Sequence, residues 1–155
     1  MQIELKLNGR SCKADVSPDM RLFDFVREQG CASVKCGCET SNCGLCTVWL
    51  DGTPVLSCSV LAVRANGREV TTLEGLQAEA AEFGAFLADE GAEQCGYCSP
   101  GFIMNVLAMV RELKDPTEQE IQIYLAGNLC RCSGYQGQLR AIRHYLQAKQ
   151  EVNHE

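Results

Sequence analysis

The chain has 155 residues, of which 46% are hydrophobic and 22% are charged, and its formal net charge is −6. This composition is too apolar for an intrinsically disordered chain. The acidic balance also disfavours binding of nucleic acid or an anionic membrane, because both need clustered Lys and Arg. The longest apolar stretch, Val106 to Val110, is far shorter than the roughly 20 residues that cross a bilayer. Since the first residues alternate apolar and polar side chains, unlike a signal peptide, we expect a cytoplasmic protein.

Cysteine is the most informative residue type, with 11 in the chain. In a reducing compartment, so many cysteines favour metal binding over disulfides. They form two groups: Cys12, Cys31, Cys36, Cys38, Cys43, Cys46 and Cys58, and then Cys95, Cys98, Cys130 and Cys132. This grouping predicts two domains.

The first half of the chain combines strand, turn and helix signals. Alternating apolar residues on both sides of Asn8-Gly9 predict a β-hairpin, and Asp51-Gly52 predicts a second one. Between them, Ser17-Pro18 predicts the start of a helix that ends before Gly30. A further short strand is expected at Glu69 to Thr72. The first half is therefore a small mixed sheet with one helix.

The second half shows helical patterns, which places a first domain at residues 1–76 and a second at 77–155. A first helix is expected over residues 77–89, and Ser99-Pro100 predicts the start of a second. The capping box Thr117 to Glu120 begins a third, and an apolar stripe near the C terminus predicts a fourth. Short connections between these helices indicate a compact bundle.

The first cysteine group contains a strong cluster-binding pattern. Cys38, Cys43 and Cys46 have the spacing C-x4-C-x2-C, which is typical of plant-type [2Fe-2S] sites, and Cys58 follows as the fourth ligand. The second hairpin can return Cys58 to the loop. The alternative is zinc, because Cys43-x2-Cys46 alone is also a zinc half-site, but the four-residue spacer before it is awkward for zinc.

Several other polar side chains are expected to have no role in the chemistry. Cys31 and Cys36 lie outside the motif, and Cys12, on an alternating strand, is expected to be a buried small hydrophobic side chain. We expect His144 to face outward on the last helix and His154 to be solvated near the terminus. With no nucleotide-binding signature and no acid–base constellation, we expect no catalytic residues on this chain.

The second group is Cys95-x2-Cys98 and Cys130-x-Cys132. Each couple lies just before a predicted helix start, where the helix dipole favours an anionic group. By spacing alone this site could hold zinc, a [2Fe-2S] cluster or a redox disulfide. A second cluster near the first would form a path for electrons.

Three segments of the chain resemble one known family, the iron–sulfur small subunit of the molybdenum hydroxylases, in the xanthine dehydrogenase and aldehyde oxidase group. They are residues 33–58, Gln94 to Gly101, and Asn128 to Tyr135. The resemblance implies an α+β protein, with an N-terminal β-grasp plant-type ferredoxin-like domain followed by a C-terminal four-helix bundle. Each domain would hold one of two [2Fe-2S] clusters.

The resemblance also implies an electron-transfer subunit. Electrons would pass from a molybdopterin-type molybdenum cofactor on a large subunit to the bundle cluster, then to the ferredoxin-like cluster and on to FAD on a third subunit. By similarity, Gln94 and Cys132 would lie beside the pterin. The alternative is a free-standing two-cluster ferredoxin-type electron carrier.

Some positions depart from the family pattern. Relatives usually carry glycine where this chain has Ser41, and often glutamate at Thr40, so we expect a slightly different backbone path in this loop. Gln136-Gly137 stands where proline is common before the last helix, which weakens that helix-start signal.

Overall fold

The computed structural model describes residues 1–152 as an α+β protein with five β-strands and five α-helices, as the sequence predicts. The elements are β1 Gln2–Leu7, β2 Arg10–Asp15, α1 Leu22–Glu28, β3 Thr47–Leu50, β4 Thr53–Leu56, β5 Glu69–Thr71, α2 Gln77–Asp89, α3 Ser99–Glu112, α4 Glu118–Tyr124 and α5 Gln136–Val152. Within the described range, no helix is long and apolar enough to cross a membrane.

The five strands form one sheet in the order β2-β1-β5-β3-β4. Strand β1 pairs in parallel with β5, and every other neighbouring pair is antiparallel. Both predicted hairpins are confirmed, and each turn has two residues at positive φ: Asn8 (51°) with Gly9 (77°), and Asp51 (50°) with Gly52 (80°). This is the turn geometry that matches the natural twist of the strands.

The predicted start of the first helix at Ser17-Pro18 is wrong, because α1 begins at Leu22. The Ser17 hydroxyl bonds to the Asp19 carboxylate instead of capping a helix. Arg21 then stays extended and forms a β-bridge with Leu61, which delays the helix. A local serine–aspartate contact therefore competes with the cap.

The predicted helix starts in the second half are confirmed. Helix α2 spans the predicted residues, and α3 begins at Ser99 with Pro100 in its first turn. At α4 the capping box is complete: Glu120 N–H donates to Thr117 Oγ1 (3.3 Å) and Thr117 N–H donates to Glu120 Oε2 (2.7 Å). Helix α5 begins at Gln136 although the proline common in relatives is missing.

Two hydrophobic clusters lie side by side, and one tryptophan joins them. The first cluster packs the sheet against α1, and the second packs α2 to α5 together. Trp49 belongs to β3 but lies in the second cluster, where only 2% of its surface is exposed. Its indole N–H donates to the Met104 carbonyl (3.0 Å), and the Arg111 guanidinium lies 4.3 Å from its ring centroid. The two halves are thus packed against each other.

A half-buried carboxylate ties the loop after α1 to the segment before α2. Glu74 accepts hydrogen bonds from the Ser33 backbone N–H (2.8 Å), the Ser33 hydroxyl (2.6 Å) and the Thr72 hydroxyl (2.5 Å). Partial burial would raise the pKa of Glu74, but these donors outweigh it and lower that pKa below its ordinary value.

The side chains outside the two sites differ from expectation at one position. Cys12 is half-buried, not buried, because it lies on the edge strand β2, and its Sγ lies 3.6 Å from Gln29 Oε1. Cys31 is the buried thiol, and Cys36 is exposed. His144 is exposed as expected, with Nδ1 2.9 Å from Glu90, whereas His154 lies outside the described residues.

Candidate metal centres

The first site forms where the loop before β3 meets the turn after β4. The structure brings Cys38, Cys43, Cys46 and Cys58 together as two pairs, Cys38 beside Cys43 and Cys46 beside Cys58. Ser57 fixes this turn, because its N–H (3.2 Å) and its hydroxyl (2.7 Å) both donate to the Cys46 carbonyl. Antiparallel pairing of β3 with β4 therefore returns Cys58 to the loop.

The loop backbone favours a thiolate at this site. N–H groups of Asn42 and Thr40 donate to the Cys38 sulfur and lower its pKa to about 6. Burial has the opposite effect on Cys46 and raises its pKa to about 11. Backbone donors aimed at cysteine sulfur are what an iron–sulfur site requires, because its ligands are thiolates.

Ser41 lies at the turn of this loop in a conformation that glycine favours. Its φ is 58°, so the serine takes up the left-handed region that glycine adopts without strain, and the slightly different backbone path expected for this loop stays a prediction. The Ser41 hydroxyl oxygen lies 3.7 Å from Cys58 Sγ and 2.8 Å from the Ser59 hydroxyl oxygen.

The second site lies between the start of α3 and the loop before α5. Its four thiols also form two pairs: Cys132 Sγ lies 3.7 Å from Cys95 Sγ, and Cys98 lies beside Cys130. Burial raises the pKa of Cys98 to about 12. Burial also acts on Cys130, but the Ser133 hydroxyl and the backbone N–H groups of the loop lower its pKa to about 7.

A tyrosine hydroxyl closes the second ligand loop. Tyr135, at φ 70°, places its hydroxyl against both backbone groups of Cys130, accepting from the N–H (3.0 Å) and donating to the carbonyl (3.0 Å). Sequence reasoning treated Tyr135 only as part of a motif, because cysteine spacing does not reveal such a contact. Gln94 is exposed and directly precedes Cys95.

One backbone hydrogen bond joins the two sites. The Leu129 N–H, directly before Cys130, donates to the Cys43 carbonyl (2.9 Å). Cys43, Cys98 and Cys130 line the same narrow gap, which has no room for a water molecule. The sites are therefore in direct contact through their ligand loops.

Buried polar side chains hold this contact in place, and none of them was predicted. The Thr47 hydroxyl donates to the Gly44 carbonyl (2.7 Å), and Asn105 Nδ2 lies 3.4 Å from that hydroxyl. Asn105 Nδ2 also donates to Asn128 Oδ1 (2.7 Å), and Asn128 is only 8% exposed. This bridge connects β3, α3 and the loop that carries Cys130.

The pairwise grouping suits a two-iron cluster. In a [2Fe-2S] cluster each iron takes two protein thiolates, so four ligands divide into two pairs, whereas a single zinc ion takes all four at one point. Over residues 1–152, no three Cys, His, Asp or Glu side chains are placed to hold one metal ion together. All 11 cysteines lie in this range and none forms a disulfide.

Comparisons with known proteins also indicate a [2Fe-2S] protein. Residues 72–143 match the family model of a [2Fe-2S] binding domain. The chain is 42% identical to the nicotinate dehydrogenase small FeS subunit of Eubacterium barkeri, covering 94% of each chain. It is 45% identical to the xanthine dehydrogenase iron-sulfur-binding subunit of Escherichia coli O157:H7, covering 86% of this chain and 87% of the relative. In the crystal structure of quinoline 2-oxidoreductase from Pseudomonas putida 86, a chain 36% identical superposes with a TM-score of 0.88, covering 96% of this chain and 94% of that one.

Proposed function

Because the chain belongs to the family of [2Fe-2S] subunits of the molybdenum hydroxylases, the xanthine dehydrogenase and aldehyde oxidase group, we propose that it is the electron-transfer subunit of such an oxidoreductase. It carries electrons from a molybdopterin centre on a large subunit, through two [2Fe-2S] clusters, toward FAD on a further subunit. We place this complex in the cytoplasm.

The two-domain division at residues 76 and 77 belongs to this proposal. The sheet with α1 packed on it supports a β-grasp ferredoxin-like domain that binds one cluster through Cys38, Cys43, Cys46 and Cys58. Helices α2 to α5 support a four-helix bundle that binds the other. The ligands of this second cluster are Cys95, Cys98, Cys130 and Cys132.

The observation that carries the proposal is the hydrogen bond from Leu129 N–H to the Cys43 carbonyl. Cys43 is a ligand residue of the first site, and Leu129 directly precedes Cys130, a ligand residue of the second. The gap between them has no room for a water molecule. Each [2Fe-2S] cluster, when bound, takes up and releases one electron. The chain's own residues keep the two sites in contact and shield the path between them from solvent.

The surface around the second site supports docking of a partner subunit. Tyr97 (48%), Leu129 (46%) and Tyr135 (44%) are large apolar side chains that remain exposed beside the cysteine loops. Gln94, directly before Cys95, and Cys132, whose sulfur lies 3.7 Å from that of Cys95, are both exposed. We place the pterin-bearing subunit there, with Gln94 and Cys132 facing the pterin. The names of both bacterial relatives describe them as subunits, which agrees with this assignment.

Iron content and electron paramagnetic resonance test the two-cluster assignment. The anaerobically purified chain should hold four irons, and dithionite should reveal two distinct paramagnetic signals. Cys58→Ser should remove one signal and Cys98→Ser the other, whereas Cys31→Ser, a matched change at a non-ligand thiol, should keep both. A colourless protein with stoichiometric zinc, or a single signal after full reduction, refutes the assignment.

Purification from the host tests the subunit assignment against the free-standing carrier. A tagged chain should elute with a larger partner that contains the molybdenum cofactor and with a flavin-containing partner. In that complex, Cys132→Ser should slow electron transfer from substrate to acceptor while Cys58 still holds its cluster. Elution of the chain alone at 17.0 kDa with both clusters intact refutes the subunit assignment.

A further inference from the structure

Ser41 combines a strained backbone with an unusual hydroxyl pair. A non-glycine residue at φ 58° is held in a sparsely populated conformation, and such positions persist only where the surroundings fix them. Glycine would adopt this conformation without strain. Serine adds a hydroxyl group that glycine lacks, so any effect of serine on this site comes from the contacts of that hydroxyl.

The hydroxyl lies in a short chain of hydrogen bonds that ends on a ligand sulfur. Both hydroxyl oxygens lie near Cys58 Sγ, Ser41 Oγ at 3.7 Å and Ser59 Oγ at 3.5 Å, but the Ser59 hydroxyl gives its hydrogen to Ser41 Oγ (2.8 Å). Because Ser41 already accepts from Ser59, its own hydrogen is free to point at the sulfur. When Cys58 binds iron as a thiolate it has no proton to give, so the hydroxyl must be the donor.

We infer that Ser41 is a positioning residue that donates a hydrogen bond to the Cys58 thiolate and thereby raises the reduction potential of the first cluster. Reduction adds one negative charge to the cluster, and a donor on a ligand sulfur stabilises the more negative state. Ser59 orients the Ser41 hydroxyl. The inference rests on the proposed function, and it deepens it: a higher potential at the first site favours electron flow from the second site toward the first.

Two substitutions separate the hydroxyl from the backbone. Ser41→Gly removes the hydroxyl and relieves the backbone strain, whereas Ser41→Ala removes the hydroxyl and keeps the strain. If the hydroxyl is responsible, both should lower the first-site potential by the same amount. Ser59→Ala should lower it less, because the Ser41 donor remains. Ser11→Ala, at an exposed serine on β2, is the matched control.

The readout is a dithionite titration of the cluster-loaded chain, followed by electron paramagnetic resonance. The Cys98→Ser background identifies the first-site signal. At a fixed solution potential, the reduced-to-oxidised ratio of the first site should fall about tenfold in both Ser41 variants, which is about 59 mV for a one-electron couple. In the Ser41 variants that keep Cys98, the potential of the second site should stay unchanged.

Four results overturn the inference: no shift in Ser41→Gly, a shift in Ser41→Ala alone, an equal shift at both sites, or a shift in Ser11→Ala. If the wild-type chain shows only the first-site signal, the two-cluster function is refuted. The inference about Ser41 can still be tested in that case, because the titration of Ser41→Gly needs only the first cluster. A chain that never loads the first site overturns both.

Discussion

Gly101 tests whether the contact between the two sites depends on close backbone packing. It is the third residue of α3 and faces the loop of the first site. A Cβ added there would lie 2.4 Å from the Gly44 carbonyl oxygen and 2.9 Å from Leu45 Cα. Both atoms belong to the backbone, so no side-chain rotation relieves the overlap. In Gly101→Ala, α3 must therefore move away from the first loop.

Two opposing effects determine how much Gly101→Ala changes the free energy of unfolding. Alanine in place of glycine stabilises a helix by at most about 1 kcal/mol. Overpacking typically costs about 1–3 kcal/mol, and it is expected at the upper end here because a contact of 2.4 Å must open by about 1 Å to become an ordinary one. We expect Gly101→Ala to lower the free energy of unfolding by about 2 kcal/mol, and Tm by about 4–8 °C.

Gly84→Ala is the matched control, because Gly84 also lies within a helix but a Cβ there meets no atom within 4 Å. This variant should raise Tm by about 2–4 °C. Thermal unfolding of the cluster-loaded chains at one scan rate gives the comparison. The magnetic interaction between the two reduced clusters should also weaken in Gly101→Ala. A Tm for Gly101→Ala at or above the wild-type value would refute the packing argument.

Three further predictions concern the loops around the sites. Asn128→Leu removes the nearer acceptor of the Asn105 amide (2.7 Å) and leaves only the longer contact to Thr47 Oγ1 (3.4 Å), so urea unfolding should show a loss of about 1–3 kcal/mol and hydrogen exchange at the Leu129 amide should accelerate; unchanged exchange would contradict the bridge. Because the pKa of Glu74 is lowered, its carboxylate stabilises the fold above the ordinary value of about 4.3 and this contribution is lost as pH falls through the folded-state pKa. Glu74→Gln should therefore show a smaller drop in Tm than wild type between pH 6 and about 3, and equal drops would refute the assignment. Tyr135→Phe removes both hydroxyl contacts to the second ligand loop, so cluster loss from that site in chelator should accelerate while the first site is unaffected; equal rates would exclude the contact as a restraint.

Features encoded by neighbouring residues could be predicted from the sequence. The turn at Asp51-Gly52 and the capping box at Thr117 depend on residues within four positions, and both occur as expected. Ser17 shows the limit of this reasoning. Its hydroxyl could cap a helix or bond to the nearby Asp19 carboxylate, and in the structure it bonds to Asp19. The cysteine spacing suggested two sets of four ligands, and within each set the thiols lie in pairs.

Contacts between distant segments could not be predicted. Leu129 meets the Cys43 carbonyl through a backbone N–H, which every residue type except proline can supply, so no letter of the sequence marks it. Asn105 reads as an ordinary polar residue of a helix, and Asn128 begins a segment of family resemblance that does not indicate its partner. Ser41 could be recognised as a departure from the family, but its left-handed conformation and its contact with Cys58 are evident only in three dimensions.

Trp49 is the only tryptophan of the chain, and it comes from the sheet but is enclosed by the helices. Its fluorescence is thus an intrinsic probe of the junction between the halves. Separation of the halves would transfer the indole to water and shift its emission to longer wavelength, even if both halves kept their secondary structure. Emission and circular dichroism recorded together could therefore distinguish undocking from unfolding without an added label.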